Sequence, residues 1–192
     1  MSADRLILAS GSPRRRELLS SFGLDFEVVT AGVEEDGRLD ADPEHLVLAN
    51  ARLKAEWVSE RHQGRVVLGA DTTVCLNGRI YNKPVDLDDA RRMLAELSGR
   101  THTVYTGLVL VRREPPLDAS IVVASKVRFR RLDEAIIDDY IASVHTLDKA
   151  GAYAIQECGE RIVESHSGSL SNIIGLPLGE TKALLTRHSV MS

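Results

Sequence analysis

Three consecutive arginines, Arg14, Arg15 and Arg16, follow the small-residue turn Ser10-Gly11-Ser12-Pro13. Ser12 suits a helix N-cap and Pro13 the first helical position, so the arginines fall in a first helical turn. Cations are unfavourable there, because the N-terminus is already the positive end of the helix dipole. A capping box would also place an acid where Arg15 stands. The arrangement makes sense if an anion binds, since open backbone N–H groups and guanidinium forks together hold a phosphate. The bland alternative is a solvated face whose charges repel mildly. Asp71 follows the apolar run Val66-Val67-Leu68-Gly69-Ala70. A carboxylate at a strand end can hold a divalent metal or take a proton from water, and a turn-capping aspartate reads the same way. The acidic loop at residues 30–42, with Glu34, Glu35, Asp36, Asp40 and Asp42, could supply a second carboxylate or simply be solvated. Lys54 and Lys83 add candidate phosphate contacts, although a lone lysine is ordinarily a surface residue. As a set, cations for phosphate and carboxylates for metal suit phosphoryl chemistry.

Several known motifs are absent. There is no GxxxxGK[ST], no GxGxxG, and neither Ser10 nor Ser12 lies in GxSxG. Residue chemistry alone therefore reaches a phosphate-binding, metal-assisted enzyme and stops before a substrate.

The elements that must position these groups can be read from periodicity and punctuation. Leu6-Ile7-Leu8-Ala9 reads as a buried strand, followed by a helix whose apolar face is Leu18, Leu19 and Phe22 and whose stop is Gly23. Residues 27–30 read as a strand. Asp42-Pro43-Glu44 starts a long helix with an expected apolar stripe of Leu46, Ala49, Leu53 and Trp57, Lys54 lying at its margin. The run at residues 66–70 leads through Asp71 to a hairpin turn at Asn77-Gly78. A helix at 86–97 carries acids in its first turn, as the dipole prefers, which sets off the arginines of the first helix. Residues 101–112 and 119–129 read as long strands, 133–144 as a helix, 152–155 and 161–164 as short strands, 168–172 as a loop and 176–188 as a closing helix. Hairpins among interleaved helices point to a mixed sheet rather than a doubly wound parallel one.

Composition bounds the rest. The chain has 192 residues, 43% hydrophobic and 27% charged, enough for one sizeable core. A net charge of -4 argues against general nucleic-acid binding, so a polyanion site has to concentrate its cations locally. Two cysteines without CxxC and six scattered histidines suggest a reducing compartment and no structural zinc. No apolar run approaches the ~20 residues of a membrane span, and no signal-peptide core opens the chain. The expectation is a cytoplasmic protein without a membrane partner.

The chain resembles the Maf family of nucleotide pyrophosphatases over nearly its whole length. The resemblance is carried, in order, by LASGSPRRRELL at residues 8–19, VEE at 33–35, ARLKA at 51–55, LGADTTV at 68–74 and NKP at 82–84. SGRTHTVYTGL at 98–108, LDKAGAYAIQ at 147–156 and SNIIGLPL at 171–178 follow. It implies one α/β domain over residues 1–192, an elongated, mixed but mostly antiparallel twisted sheet with surrounding helices and a deep cleft between two lobes, akin to inosine triphosphatase. It implies hydrolysis of a nucleoside triphosphate to the monophosphate and pyrophosphate, a divalent cation (Mg²⁺ or Mn²⁺) and a homodimer. Carried over by residue, Asp71 is the acidic catalytic residue, read as the proton acceptor for the attacking water. Ser10, Arg14, Arg15, Lys54 and Lys83 bind substrate, and Glu35 joins Asp71 at the metal. The family often has Asp in the middle of its VDE triplet, where this chain has Glu34. The metal would either polarise the α-phosphate or lower the pKa of bound water.

The resemblance also bears on specificity. Three positions separate Maf-like branches, and here they hold Arg14, Thr72 and Gln156. The branch acting on N7-methyl-GTP resembles Trp, Gln and Glu at those places, where stacking and a carboxylate would favour a positively charged base. A Gln156 amide donates and accepts, which suits thymine or uracil. The expected substrates are dTTP and UTP. The alternatives are N7-methyl-GTP, or a non-catalytic nucleotide-binding regulator, since Maf-like proteins have been associated with inhibition of septum formation.

Overall fold

The structure, a computed structural model, describes residues 6–38 and 40–191. Residue 39 of the acidic loop at 30–42 lies outside the described residues. One seven-stranded sheet runs in the order β2-β1-β3-β5-β6-β7, with β4 paired to β3 off that path. Its strands are β1 (Leu6–Ala9), β2 (Phe26–Val28), β3 (Val67–Leu76), β4 (Arg79–Tyr81), β5 (Thr101–Arg112), β6 (Leu117–Phe129) and β7 (Val163–Ser167). The helices are α1 (Pro13–Ser20), α2 (Pro43–Arg61), α3 (Leu87–Leu97), α4 (Glu134–Ser143), α5 (Gly159–Ile162), α6 (Leu170–Ile174) and α7 (Leu178–Arg187). β1 runs parallel to β2 and β3, and every other pairing is antiparallel. The sheet is therefore mixed and mostly antiparallel, as the interleaved pattern implies.

Local chemistry accounts for the element ends. Asp42, Asp86 and Asp133 each accept a backbone N–H at the start of α2, α3 and α4. Asn77 (φ 52°) and Gly78 (φ 80°) both take left-handed backbone, which gives the β3–β4 hairpin the twist its strands need. Among the described residues no helix is long and apolar enough to cross a membrane, and both cysteines are free thiols.

Three features depart from the sequence reading. The buried face of α2 is Leu46, Val47, Asn50, Ala51, Lys54, Ala55, Val58 and Ser59, while Ala49 and Leu53 are exposed and Trp57 is half-buried. Of the expected stripe Leu46 is buried, and the face beyond it is rotated, because polar Asn50, Lys54 and Ser59 sit on the inner side. That face lies directly on the sheet. A methyl at Gly69 would stand 2.3 Å from the Ala51 carbonyl oxygen, and one at Gly107 would stand 2.7 Å from Val47 backbone. Second, 152–155 is not a strand: Ala150–Ala152 forms a 3₁₀ turn, and the segment 161–164 straddles the end of α5 and the start of β7. Third, residues 168–172 are not all loop, since Ser169 caps the short helix α6 through the Asn172 N–H.

Three apolar clusters make the core. One lies around β1, α1, α7 and the paired halves of β3 and β5; a second fills the α2 side of the same strands. The third joins Val74, α3, α4 and the 150–162 segment around Phe129 and Tyr140. In this last cluster His102, Phe129 and Tyr153 meet edge to face, with centroids 4.8–5.3 Å apart. His102 Nε2 pairs with the Tyr153 hydroxyl at 2.8 Å, and Nδ1 has no partner. Burial holds His102 neutral, its pKa pushed down to about 4.

That burial has a testable consequence. The unfolded chain takes up a proton at His102 near pH 6.5, and the folded chain only near 4, so acidification favours unfolding between those values. The expected loss is up to about 3 kcal/mol across that window. Urea denaturation as a function of pH should show a shallower acid decline in His102→Gln than in the wild type, and parallel curves would contradict it.

Candidate active site

The cleft opens where one edge of β3 has no strand beside it. β1 pairs with residues 67–69 and ends, and β4 pairs only from Val74 onward. Residues 70–73 are left between them, still paired to β5 on the other side. The chain leaving the C-terminal end of β1 turns through Ser10 into α1 at this gap, the place where open sheets collect ligands. The resulting cavity holds about 580 Å³. Its walls include Ser10, Arg14, Arg15, Glu35, Lys54, Asp71, Thr72, Lys83 and Gln156, so every sequence-derived site residue faces one space. Glu34 and Arg16 are exposed and do not line it.

Asp71 lies at the floor, 8% exposed. Its Oδ1 accepts from Lys54 Nζ at 2.7 Å and its Oδ2 from Asn50 Nδ2 at 3.3 Å. Lys54 Nζ also donates to Glu35 Oε2 at 3.0 Å, so one buried ammonium bridges two carboxylates. Asn50 pins the acidic loop as well: it accepts from the Asp36 N–H and donates to the Asp36 carbonyl, which brings the adjacent Glu35 to the site. Desolvation pushes Asp71 up, Lys54 and Arg15 pull it back, and neighbouring Glu35 adds to the rise, leaving it above the ordinary aspartate value. For Glu35 burial also acts upward, but Lys54, the bond to Asp71 and Lys83 outweigh it, and the carboxyl sits below its usual range. The two carboxyls are thus shifted in opposite directions, with Asp71 the more basic member.

The α1 start is open, as an anion site requires. Ser12 makes no side-chain cap, and the first turn contains no acid. The arginines divide the work. Arg14 lines the cleft and donates to Asp148 Oδ2 at 3.0 Å and to the Asp148 carbonyl at 3.3 Å. Arg15 is buried beneath it. Its Nε donates to the Gly175 carbonyl, Nη1 to Ser10 Oγ and the Ala70 carbonyl, and Nη2 to Thr72 Oγ1, all within 3.2 Å. Four of its N–H groups are therefore committed to protein, including one that satisfies the unpaired edge of β3. Desolvation lowers the Arg15 pKa, offset by Asp71 and Glu35. Thr72 Oγ1 in turn shares a hydrogen bond with Thr106 Oγ1, which is tied to the Asn172 carbonyl.

The facing wall carries Lys83, exposed after β4, and the 148–156 segment with Gln156 exposed at its end. Between them Val74, Val104, Tyr153 and Ile173 form an apolar stretch. The walls of one cleft therefore combine cations, two carboxylates, apolar side chains and an amide. Glu35 and Asp71 fit a divalent cation: an ammonium already bridges them, and two carboxylates with substrate phosphate oxygens are the usual Mg²⁺ donor set. Among the described residues no group of three or more His, Cys, Asp or Glu side chains converges, so the substrate would have to complete the shell.

Three residues at this site were not singled out from sequence. Asn50 lies one helical turn before Lys54 on the same face, a spacing that could have revealed it. Asp148 and Lys149 lie in an irregular loop without periodicity, and only the LDKAGAYAIQ motif that contains them could have pointed there.

The profile of a protein family described as "Maf-like protein" matches residues 5–188. A protein of Myxococcus xanthus (strain DK1622) named "dTTP/UTP pyrophosphatase" is 48% identical over 189 residues, covering 97% of this chain and 95% of that one. Proteins of the same name from Anaeromyxobacter dehalogenans (strain 2CP-C) and Dictyoglomus thermophilum are 49% and 44% identical, each covering at least 94% of both chains.

The two cleft arginines should separate in a stability measurement. Arg15→Ala leaves several buried acceptors unpaired, each costing about 1–3 kcal/mol, so the ligand-free protein should lose roughly 3 kcal/mol or more. Arg14→Ala removes a half-exposed ion pair worth about 0–1 kcal/mol and relieves a similar dipole penalty, so its net change should stay below about 1 kcal/mol. Equal losses in chemical denaturation would contradict this division.

Proposed function

The chain belongs to the Maf-like protein family, and from that premise we propose that its cleft hydrolyses nucleoside triphosphates, dTTP and UTP foremost, to the monophosphate and pyrophosphate. The observation that carries this reading is Asp71. It is buried, basic for a carboxylate, oriented by Lys54 and Asn50, and lines the same cavity as Arg14, Lys83 and Gln156.

The roles follow from those residues. The α1 N–H groups, Arg14 and Lys83 hold the β- and γ-phosphates, whose charge grows as pyrophosphate leaves. Arg15, with most of its donors committed, holds Ser10 and the α1 turn in place and offers its remaining N–H. Asp71 accepts a proton from a water aimed at the α-phosphorus, and Lys54 keeps that carboxylate ionised and aimed. A divalent cation, Mg²⁺ or Mn²⁺, held by Glu35 and Asp71 would supply charge neutralisation at the phosphates or a more acidic bound water. At the far end the base lies along Val74, Val104, Tyr153 and Ile173, and the Gln156 amide can donate to a carbonyl and accept from N3–H of thymine or uracil. The same reading carries a homodimer in the cytoplasm.

The N7-methyl-GTP alternative is less well supported. Nothing at position 14 stacks, since Arg14 is tied to Asp148, and Thr72 is enclosed by Arg15 and Thr106 where a longer glutamine would displace both.

Steady-state kinetics on one preparation, with Mg²⁺ and then Mn²⁺, test the proposal. kcat/KM for dTTP and UTP should exceed that for N7-methyl-GTP, and Gln156→Glu should narrow the gap. Asp71→Asn should remain folded and lose about 10²–10⁴-fold in kcat, the usual worth of a general base. Pyrophosphate release from no nucleotide would leave a binding regulator, and near-normal kcat in folded Asp71→Asn would remove the assigned base.

A further inference from the structure

The 145–157 segment forms the wall that faces α1, yet it contains no strand and only one 3₁₀ turn. The Tyr140 hydroxyl holds Ala154 at both its N–H and its carbonyl, and the first part of the segment gathers on one buried side chain, Lys149, which is 4% exposed. The ammonium donates to the His145 carbonyl at 2.5 Å and to Asp148 Oδ1 at 2.8 Å, and lies 3.4 Å from Glu157 Oε2. Two hydrogen bonds and one longer ion pair, to oxygens from three points of the loop, thus converge on one ammonium. Lys149 lines the cavity, but two of its donors are committed to the loop.

Each of the two carboxylates has a second connection. Asp148 turns its other oxygen to Arg14 across the mouth of the cleft. Desolvation would raise the Asp148 pKa, but Lys149 and Arg14 hold it below the usual range, so it stays charged between two cations. Glu157 follows Gln156 directly, and its N–H bonds to the Ala154 carbonyl, so fixing Glu157 fixes the backbone from which the Gln156 amide projects. The loop is further tied to the Lys83 side of the cleft, where the Gly151 N–H donates to the Asn82 carbonyl.

We propose that Lys149 is a positioning residue for substrate selection: its ammonium, by holding Asp148 and Glu157 together, sets the separation between Arg14 at the phosphate end and Gln156 at the base end. This rests on reading the cleft as a nucleotide site. Asp148 fixes Arg14 where a phosphate can reach it, and Glu157 fixes the amide at the distance of a pyrimidine. The two arms are chemically separable, because inorganic tripolyphosphate engages only the first.

The test compares Lys149→Met and Glu157→Gln with the wild type. Glu157→Gln keeps the size of a side chain that is 39% exposed and leaves no buried charge unpaired within the loop, since Lys149 retains two oxygens. In Glu157→Gln the ratio of kcat/KM for dTTP over dCTP should fall about fivefold or more, with kcat for dTTP and the competitive Ki of tripolyphosphate retained, as expected when one charge-assisted contact on the base arm is weakened. In Lys149→Met the ratio should fall likewise, and both KM for dTTP and the tripolyphosphate Ki should rise about tenfold while kcat falls far less. Lys149→Arg, which keeps the charge, should recover part of the tripolyphosphate affinity. A purely structural role would lower Tm or kcat in Lys149→Met with the nucleotide ratio intact, and that outcome, or an unchanged ratio in Glu157→Gln, would overturn the proposal. Calorimetric binding of dTTP, dCTP and tripolyphosphate gives the same comparison without turnover. Failure of the wild type to hydrolyse any nucleotide would count against the assigned reaction, while altered binding ratios in the variants would still support the positioning role.

Discussion

A buried ammonium between two carboxylates is the interaction on which this molecule is arranged. Lys54 reaches Asp71 only because α2 lies hard against the sheet, and α2 lies there only because Gly69 and Gly107 present no side chain beneath it. Moving the helix outward by the width of a methyl group would separate the ammonium from the carboxylate it orients. Taking the Lys54 ammonium and the Asp71 carboxylate out of water is costly unless each finds its partner, and Glu35 adds a second, half-exposed carboxylate. Here the partners come from three places: Lys54 and Asn50 from α2, Asp71 from β3 and Glu35 from the acidic loop that Asn50 pins. The close packing of the core and the chemistry of the cleft are therefore one constraint.

The second organising feature is the gap in the edge of β3. A strand with one side unpaired exposes backbone groups that need partners. Arg15 meets that need at the Ala70 carbonyl and uses its remaining donors to hold Ser10, Thr72 and the Gly175 turn. An arginine that looks in sequence like a third phosphate ligand thus works chiefly as a brace, while Arg14 stays at the surface of the cleft. The adjacent positions divide because successive helical residues point about 100° apart, so one faces the sheet and the next faces the mouth.

Much of this is legible in the sequence, and the failures have identifiable causes. The strands read at 101–112 and 119–129, the second of which begins at Leu117, and the three aspartate-capped helices announce themselves through alternation and N-cap chemistry. So does the Asn77-Gly78 hairpin. The inner face of α2 was misplaced because Asn50 and Lys54 interrupt the apolar pattern, and it is their function that puts polar side chains on the buried side. The strand expected at 152–155 fails because Gly151 and Ala152 adopt positive φ, 68° and 62°, to carry the loop past Val74. No residue pattern foretells this for an alanine. Helix α6 has five residues, too few to show a period. Within the site, Arg14, Arg15 and Asp71 stand out by residue type and place, Lys54, Lys83 and Glu35 only as members of a set, and Thr72 and Gln156 only through the family resemblance, whereas Asn50, Asp148 and Lys149 reach the cavity through non-local contacts.

The account orders the cleft as cations, carboxylate, base, which puts the water activated at Asp71 on the α-phosphorus and makes pyrophosphate the leaving group. Hydrolysis of dTTP in ¹⁸O-enriched water, with both products read by mass spectrometry, tests that order most directly. The label should appear in thymidine monophosphate and be absent from pyrophosphate. Label in pyrophosphate would mean attack at the β-phosphorus, and the arrangement of Asp71 between the two ends of the cleft would then have been read in the wrong direction.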